Sequence, residues 1–148
     1  TMIDHLRTFW IVLASAIAAL GGGCVRIAEI TIALDTPQHI ALPAVVELVT
    51  NMLRSVDHDL VNAGEVRWQD LEGRALIARV CRAHSETHCV FAKIHKDSLQ
   101  THLSVRVENP MGCFRERDNE WASKVAVRLL QLAGGRGRTI KNSGQCSS

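Results

Sequence analysis

The stretch "CRAHSETHC", residues 81–89, brings two thiols and two imidazoles into one short segment. Cys81, His84, His88 and Cys89 are soft and borderline ligand types of the kind that hold zinc or copper. The competing chemistry is oxidation. If the flanking segments pair as antiparallel strands with Cys81 opposite Cys89, the two Cβ atoms fall within bridging distance and close the loop 82–88. A disulfide consumes both thiolates and leaves only the histidines, so the expectation here is a structural bridge, with a metal site as the alternative.

Other side chains line up under the same pairing. His95 is expected opposite His102 beside the turn "KDSLQ", where two imidazoles hold a metal or sense pH near neutrality. Without a third ligand nearby, solvent-facing strand residues are the preferred reading of this pair. Arg79, Phe91 and Arg106 are expected in a row across three strands, as a cation–π stack or as an aromatic ring open to a partner. Asp57 and Asp59 flank His58, a pattern that reads as a polar helix end. Ser85 lies near His84 and His88, yet nothing organises an oxyanion site around it. The sequence contains no nucleophile elbow, phosphate loop or HExxH motif. The expectation is therefore a protein without catalytic residues and without a cofactor.

Periodicity supplies the elements that must carry these groups. "RIAEITIAL" (26–34) alternates as a strand, and "DTP" breaks it. From Pro43, a natural first helical residue, Val46, Val49, Leu53 and Val56 recur at helical spacing, with 36–42 as a candidate earlier turn. A second strand is expected within "EVRWQ" (65–69), followed by a three-stranded meander. With Cys81 opposite Cys89, Val80 faces Val90, Ala78 faces Ala92 and Leu76 faces Ile94. Placing Ile94 opposite Leu103 extends the apolar set through Val105 and Val107, and a slip of one residue would scatter it onto the other face. Asp118 is expected to cap a helix to about Ala133, with Trp121, Val125, Leu129 and Leu132 on one side and Gly134 as the stop. Two amphipathic helices and a sheet with one apolar face give a two-layer α+β fold: a mostly antiparallel sheet with both helices on one side.

Composition and the N-terminus bound the setting. The formal charge is +2, with 17 basic against 15 acidic residues, and tyrosine is absent. That balance offers no nucleic-acid surface and no aromatic stacking platform. "FWIVLASAIAALGGGC" (9–24) follows a short segment carrying Arg7 and ends in small residues, which is the layout of a secretory signal. The chain divides accordingly into a signal over 1–23, a single domain over 24–133 and a basic tail over 134–148. The tail has too few apolar groups to offset its ordering entropy and is expected to be disordered.

The run "LGGGC" resembles a bacterial lipobox, with Gly21 where the pattern prefers leucine. The resemblance implies acylation at Cys24 and attachment to a membrane on the periplasmic side. Val25 after that cysteine resembles the outer-membrane sorting pattern. Cys81, Cys89, Cys113 and Cys146 are then the candidates for bridges, with three connectivities open in principle. Accepting Cys81–Cys89 leaves Cys113–Cys146, or a link from Cys146 to a second molecule. The order of elements across 26–133, with the ending "LSVRVENP…DNEWASKVAVRLLQL", resembles small periplasmic lipoprotein domains of the helix-grip type, such as those of outer-membrane assembly lipoprotein C. No functional motif comes with the resemblance, so no site is carried over from it. The expectation is a membrane-tethered binding or structural accessory with another envelope protein as partner, docking through the open sheet face around Phe91, with Arg79 and Arg106, or through the exposed sheet edge. Two alternatives stay open: a small periplasmic metal-binding protein using His84, His88, His95 and His102, and a subunit of an inner-membrane complex that keeps its N-terminal helix.

Overall fold

A computed structural model describes residues 27–36, 39–57, 66–83, 85–108 and 116–143. Cys24, His58, Asp59, His84, Cys113, Cys146 and the segment 1–23 fall outside the described residues, so the expectations placed on them are not addressed by it. Among the described residues no helix is long and apolar enough to cross a membrane.

The first strand, β1 (Ile27–Leu34), alternates in sequence and buries Ala28, Ile30, Ile32 and Leu34 on one face. Helix α1 (Leu42–Ser55) follows, with Pro43 in its first turn and no side-chain cap, since Ala41 precedes it in an extended conformation. The expected extra turn over 36–42 does not form: Ala41 is extended and His39 is left-handed, with φ of 73°. Val45, Val49, Met52 and Leu53 are the residues α1 buries. The expected Val49, Leu53 and Val56 are buried, while Val46 is only partly so and Val45 and Met52 complete the stripe.

Four antiparallel strands come next: β2 (Trp68–Leu71), β3 (Ala75–Cys81), β4 (His88–His95) and β5 (Thr101–Glu108). The β2 strand starts three residues later than the expected segment, because Trp68 anchors it to the helix layer: its indole N–H donates to Thr50 Oγ1 at 2.9 Å. The turn into β3 needs left-handed backbone at Glu72 and Gly73, and Gly73 meets that need without a Cβ penalty. Between β3 and β4 the expected register holds throughout, with Leu76, Ala78, Val80 and Cys81 opposite Ile94, Ala92, Val90 and Cys89.

Between β4 and β5 the expected register is corrected by two residues. Ile94 pairs with Thr101 rather than Leu103, and Ala92 with Leu103. The cause is a tight loop: Leu99 turns left-handed (φ 57°) and its N–H donates to His95 C=O at 2.8 Å, so pairing begins at once. A shift of two keeps every side chain on its face, and the apolar set stays intact.

Helix α2 (Glu116–Leu132) starts two residues before the expected cap, placing Asp118 inside its first turn. It buries Ala122, Val125, Ala126 and Leu129, and stops before Gly134, which is left-handed. The expectation of disorder from residue 134 is corrected over Gly137–Ser143, which form a sixth strand, β6, antiparallel to β1. Six of its seven residues are exposed, so hydrophobicity gives no sign of it. Backbone pairing holds it: β1 lies between β5 and β6, and an unpaired β1 edge would leave donors and acceptors unsatisfied.

The sheet order is β2-β3-β4-β5-β1-β6, and every neighbouring pair is antiparallel. The architecture is therefore α+β in two layers. Ile32, Val90, Ile94, Leu103 and Val105 of the sheet join Val45, Val49, Leu53, Val125 and Leu129 of the helices in one core. Among the described residues, no helix lies on the opposite face of the sheet.

Candidate functional site

Strand parity decides what that uncovered face presents. One row across the sheet reads Arg79, Phe91, Ser104, Thr31 and Lys141; the next reads Cys81, Cys89, Arg106, Glu29 and Ser143. A third contains Gln69, Ile77, Lys93, His102, Ala33 and Arg138. Of these rows, Gln69, Ile77, Arg79, Phe91, Lys93, His102, Ser104, Arg106, Thr31 and Glu29 line a groove of about 540 Å³, with Arg67 at its β2 end.

Phe91 sits at the centre. The Arg106 guanidinium carbon lies 4.7 Å from the ring centroid and that of Arg79 lies 5.8 Å away. Both distances are within cation–π range. The structure thus brings together Arg79, Phe91 and Arg106, with Arg106 one row off the direct cross-strand position and reaching diagonally. Arg79 Nη2 also donates to the Glu86 carbonyl at 3.1 Å.

Glu29 is the carboxylate of the groove, and it is well occupied. Lys141 Nζ donates to its Oε2 at 3.3 Å, Arg106 Nη2 stands 3.8 Å from the same oxygen, and Thr31 Oγ1 donates to Oε1 at 3.2 Å. Burial pushes the pKa of Glu29 up. The Lys141 hydrogen bond and the charges of Arg106 and Lys141 outweigh it and hold the carboxyl below its ordinary value. Arg106 keeps a buried Nε–H without a hydrogen-bond partner among the described residues. The rest of the side chain is partly exposed, so its guanidinium remains reachable from the groove.

The disulfide lies at the end of the same face. Cys81 and Cys89 are joined, with Cα atoms 4.0 Å apart. The next pair outward, Arg82 and His88, carries the ladder hydrogen bond at 2.9 Å, so the bridge occupies a non-hydrogen-bonded pair, where strands approach most closely. A bridge closing so short a loop stabilises by roughly 2 kcal/mol through the unfolded chain.

The expected metal candidates separate. His95 and His102 lie on the uncovered face with ring centroids 5.7 Å apart in a T-shaped arrangement. They are diagonal neighbours rather than an opposed pair, because His102 pairs with Lys93 in the corrected register. Burial, followed by the charges of His95, Lys93 and Arg138, lowers the pKa of His102. His88 points to the helix side instead. Its Nε2 is 3.2 Å from Asp118 Oδ1, its Nδ1 is 3.0 Å from Thr87 Oγ1 and 3.3 Å from Ser85 Oγ, and its ring meets Trp121 edge-on at 5.0 Å. This cluster clasps the β3–β4 hairpin onto α2. Serine, imidazole and carboxylate do form a chain here, but Thr87 competes for the same ring nitrogen. Among the described residues no three of His, Cys, Asp and Glu gather as metal ligands.

Glu29, Thr31, Arg67, Lys93 and Ser104 join the groove without having been singled out in the sequence. The signal for Glu29 was available in parity: pairing β1 with β5 places it opposite Arg106. No protein-family model matches the chain, and no curated protein matches it.

Proposed function

We propose that the chain is a non-enzymatic accessory of a bacterial envelope, tethered on the periplasmic side by lipid at Cys24, that offers the uncovered face of its sheet to a partner. One observation carries the reading: both helices cover the same face, while the other keeps a groove centred on Phe91 with polar groups converging on it. A concave surface on which polar and charged side chains converge around an aromatic ring offers both orientation and apolar contact to a partner. The α+β fold hosts many functions, so the role is argued from this face and not from the architecture. A disulfide between Cys81 and Cys89 suits an oxidising compartment. Confinement by a lipid tether raises the domain's effective concentration for a partner on the same membrane.

The test is cross-linking of the tethered chain in membranes of its native or a related host, wild type beside Phe91→Ala. The expected result is a stoichiometric envelope protein cross-linked to the wild type and lost in the variant, with both chains equally membrane-bound. Equal cross-linking of the two would remove the sheet face from the proposal.

A further inference from the structure

The groove is far more cationic than the chain as a whole. Four cations (Arg67, Arg79, Lys93 and Arg106) line it against the single carboxylate of Glu29. The entire chain has a formal charge of only +2. Glu29 is shared between Lys141 and Arg106, and Arg106 also stands 4.0 Å from Glu108, so Arg67, Arg79 and Lys93 are the cations that Glu29 leaves in excess. Charge of one sign gathered in a concave, low-dielectric site focuses the field on an incoming anion.

The floor says how recognition must work. It is made by β3, β4, β5 and β1, each of which has a strand on both sides. Their backbone donors and acceptors are therefore engaged in ladders, and the strand edge that borders the groove is that of the four-residue β2 at its end. What remains for a ligand is side-chain chemistry: guanidinium forks, one ammonium, an aromatic ring and the aliphatic surface of Ile77. Guanidinium forks match the oxygens of phosphate bidentately, and Arg79 and the partly exposed Arg106 both line the groove. A volume of about 540 Å³ falls within the range of small-molecule sites.

From these observations we infer that the groove is a binding site for a small soluble phosphate monoester with a flat apolar body, the phosphate held by Arg106 and Arg79 and the body laid against Phe91 and Ile77. The inference rests on the uncovered face being the binding face, and names what it takes. A dianion fits the excess of cations better than a single carboxylate does.

The experiment is calorimetric titration of the oxidised full chain in a neutral maltoside detergent, with naphthyl phosphate as the probe. Inorganic phosphate, naphthol, an acidic peptide and anionic-lipid vesicles serve as the comparison arms. One-to-one binding of naphthyl phosphate is expected, weakening as salt rises from about 0.01 M to about 0.15 M and the Debye length falls from about 30 Å to about 8 Å. Loss of one charged fork is expected to weaken it about tenfold in Arg106→Gln. Arg79→Gln, at an exposed strand position, gives the same direction should the first variant fold poorly, and circular dichroism with disulfide content checks both folds.

Inorganic phosphate binding as tightly as naphthyl phosphate would overturn the inference, since the aromatic floor would then contribute nothing. Affinity unchanged in both arginine variants would overturn it as well. Tighter binding of the acidic peptide or the vesicles, lost in the arginine variants, would replace the phosphate monoester with that partner while leaving the face as the binding surface. Silence in every arm would overturn the inference, while the cross-linking of wild type beside Phe91→Ala decides separately whether the face binds a protein.

Discussion

His102 shows how one side chain on the groove reports its surroundings. Burial, and then the positive neighbours His95, Lys93 and Arg138, disfavour the imidazolium and lower its pKa from the ordinary 6.5. Between that lowered value and 6.5 the unfolded chain holds a proton that the folded chain does not. Acidification through this window therefore favours unfolding, and above 6.5 the penalty is absent. The urea midpoint of the wild type is expected to fall as pH drops through this window, and His102→Gln is expected to flatten that part of the profile. A variant whose profile superimposes on that of the wild type would show that the slope belongs to other groups. Glu29 acts in the opposite pH range: its lowered pKa supplies stability at neutral pH that is lost as pH falls below its ordinary 4.5.

At the scale of elements, β6 is held by geometry rather than by hydrophobicity. A Cβ placed on Gly137 would meet Ala133 Cβ and Leu130 Cδ2 at 3.2 Å, where the strand enters beside the end of α2. Gly137→Val is expected to push β6 off β1 at this end and to destabilise by about 1–3 kcal/mol, the usual cost of overpacking. Hydrogen exchange of the β1 amides that face β6 checks it: their protection should fall while β3 and β4 stay protected, and unaltered exchange would show that the contact relaxes. The elements also differ in how far the sequence reveals them. The β3–β4 register was legible because Cys81, Val80, Ala78 and Leu76 have unique counterparts at fixed offsets. The β4–β5 register was legible only as to face, since a two-residue shift preserves parity and the left-handed turn at Leu99 carries no glycine to announce it. The β6 strand was not legible at all, because "GRTIKNS" is polar and its pairing depends on a β1 edge that only the assembled sheet creates. The same dependence concealed Glu29, whose place in the groove follows from the long-range pairing of β1 with β5.

Across the whole molecule, the arrangement is asymmetric in a way that fits a tethered binding domain. Helices α1 and α2 cover one face, the disulfide fixes one end of the other, and the groove opens between that bridge and β2. A lipid at Cys24 would join the chain three residues ahead of β1, the strand between β5 and the edge strand β6, which contributes Glu29 and Thr31 to the groove. A single acyl chain holds a protein only marginally on a bilayer, whereas the several chains of a bacterial lipoprotein, at about 0.8 kcal/mol per buried methylene, anchor it firmly. Intact mass of the chain purified from membranes, with and without reduction, decides between the tether and its rivals. The expected mass is that of residues 24–148 plus acyl chains, rising on reduction by the hydrogens added at the Cys81–Cys89 bridge and at any further bridge through Cys113 and Cys146. A full-length mass without lipid would instead make "FWIVLASAIAALGGGC" a permanent anchor. The domain would then belong with membrane-embedded partners and the lipid tether would fall, while the groove, whose described lining runs from Glu29 to Arg106, would be tested by its own titration.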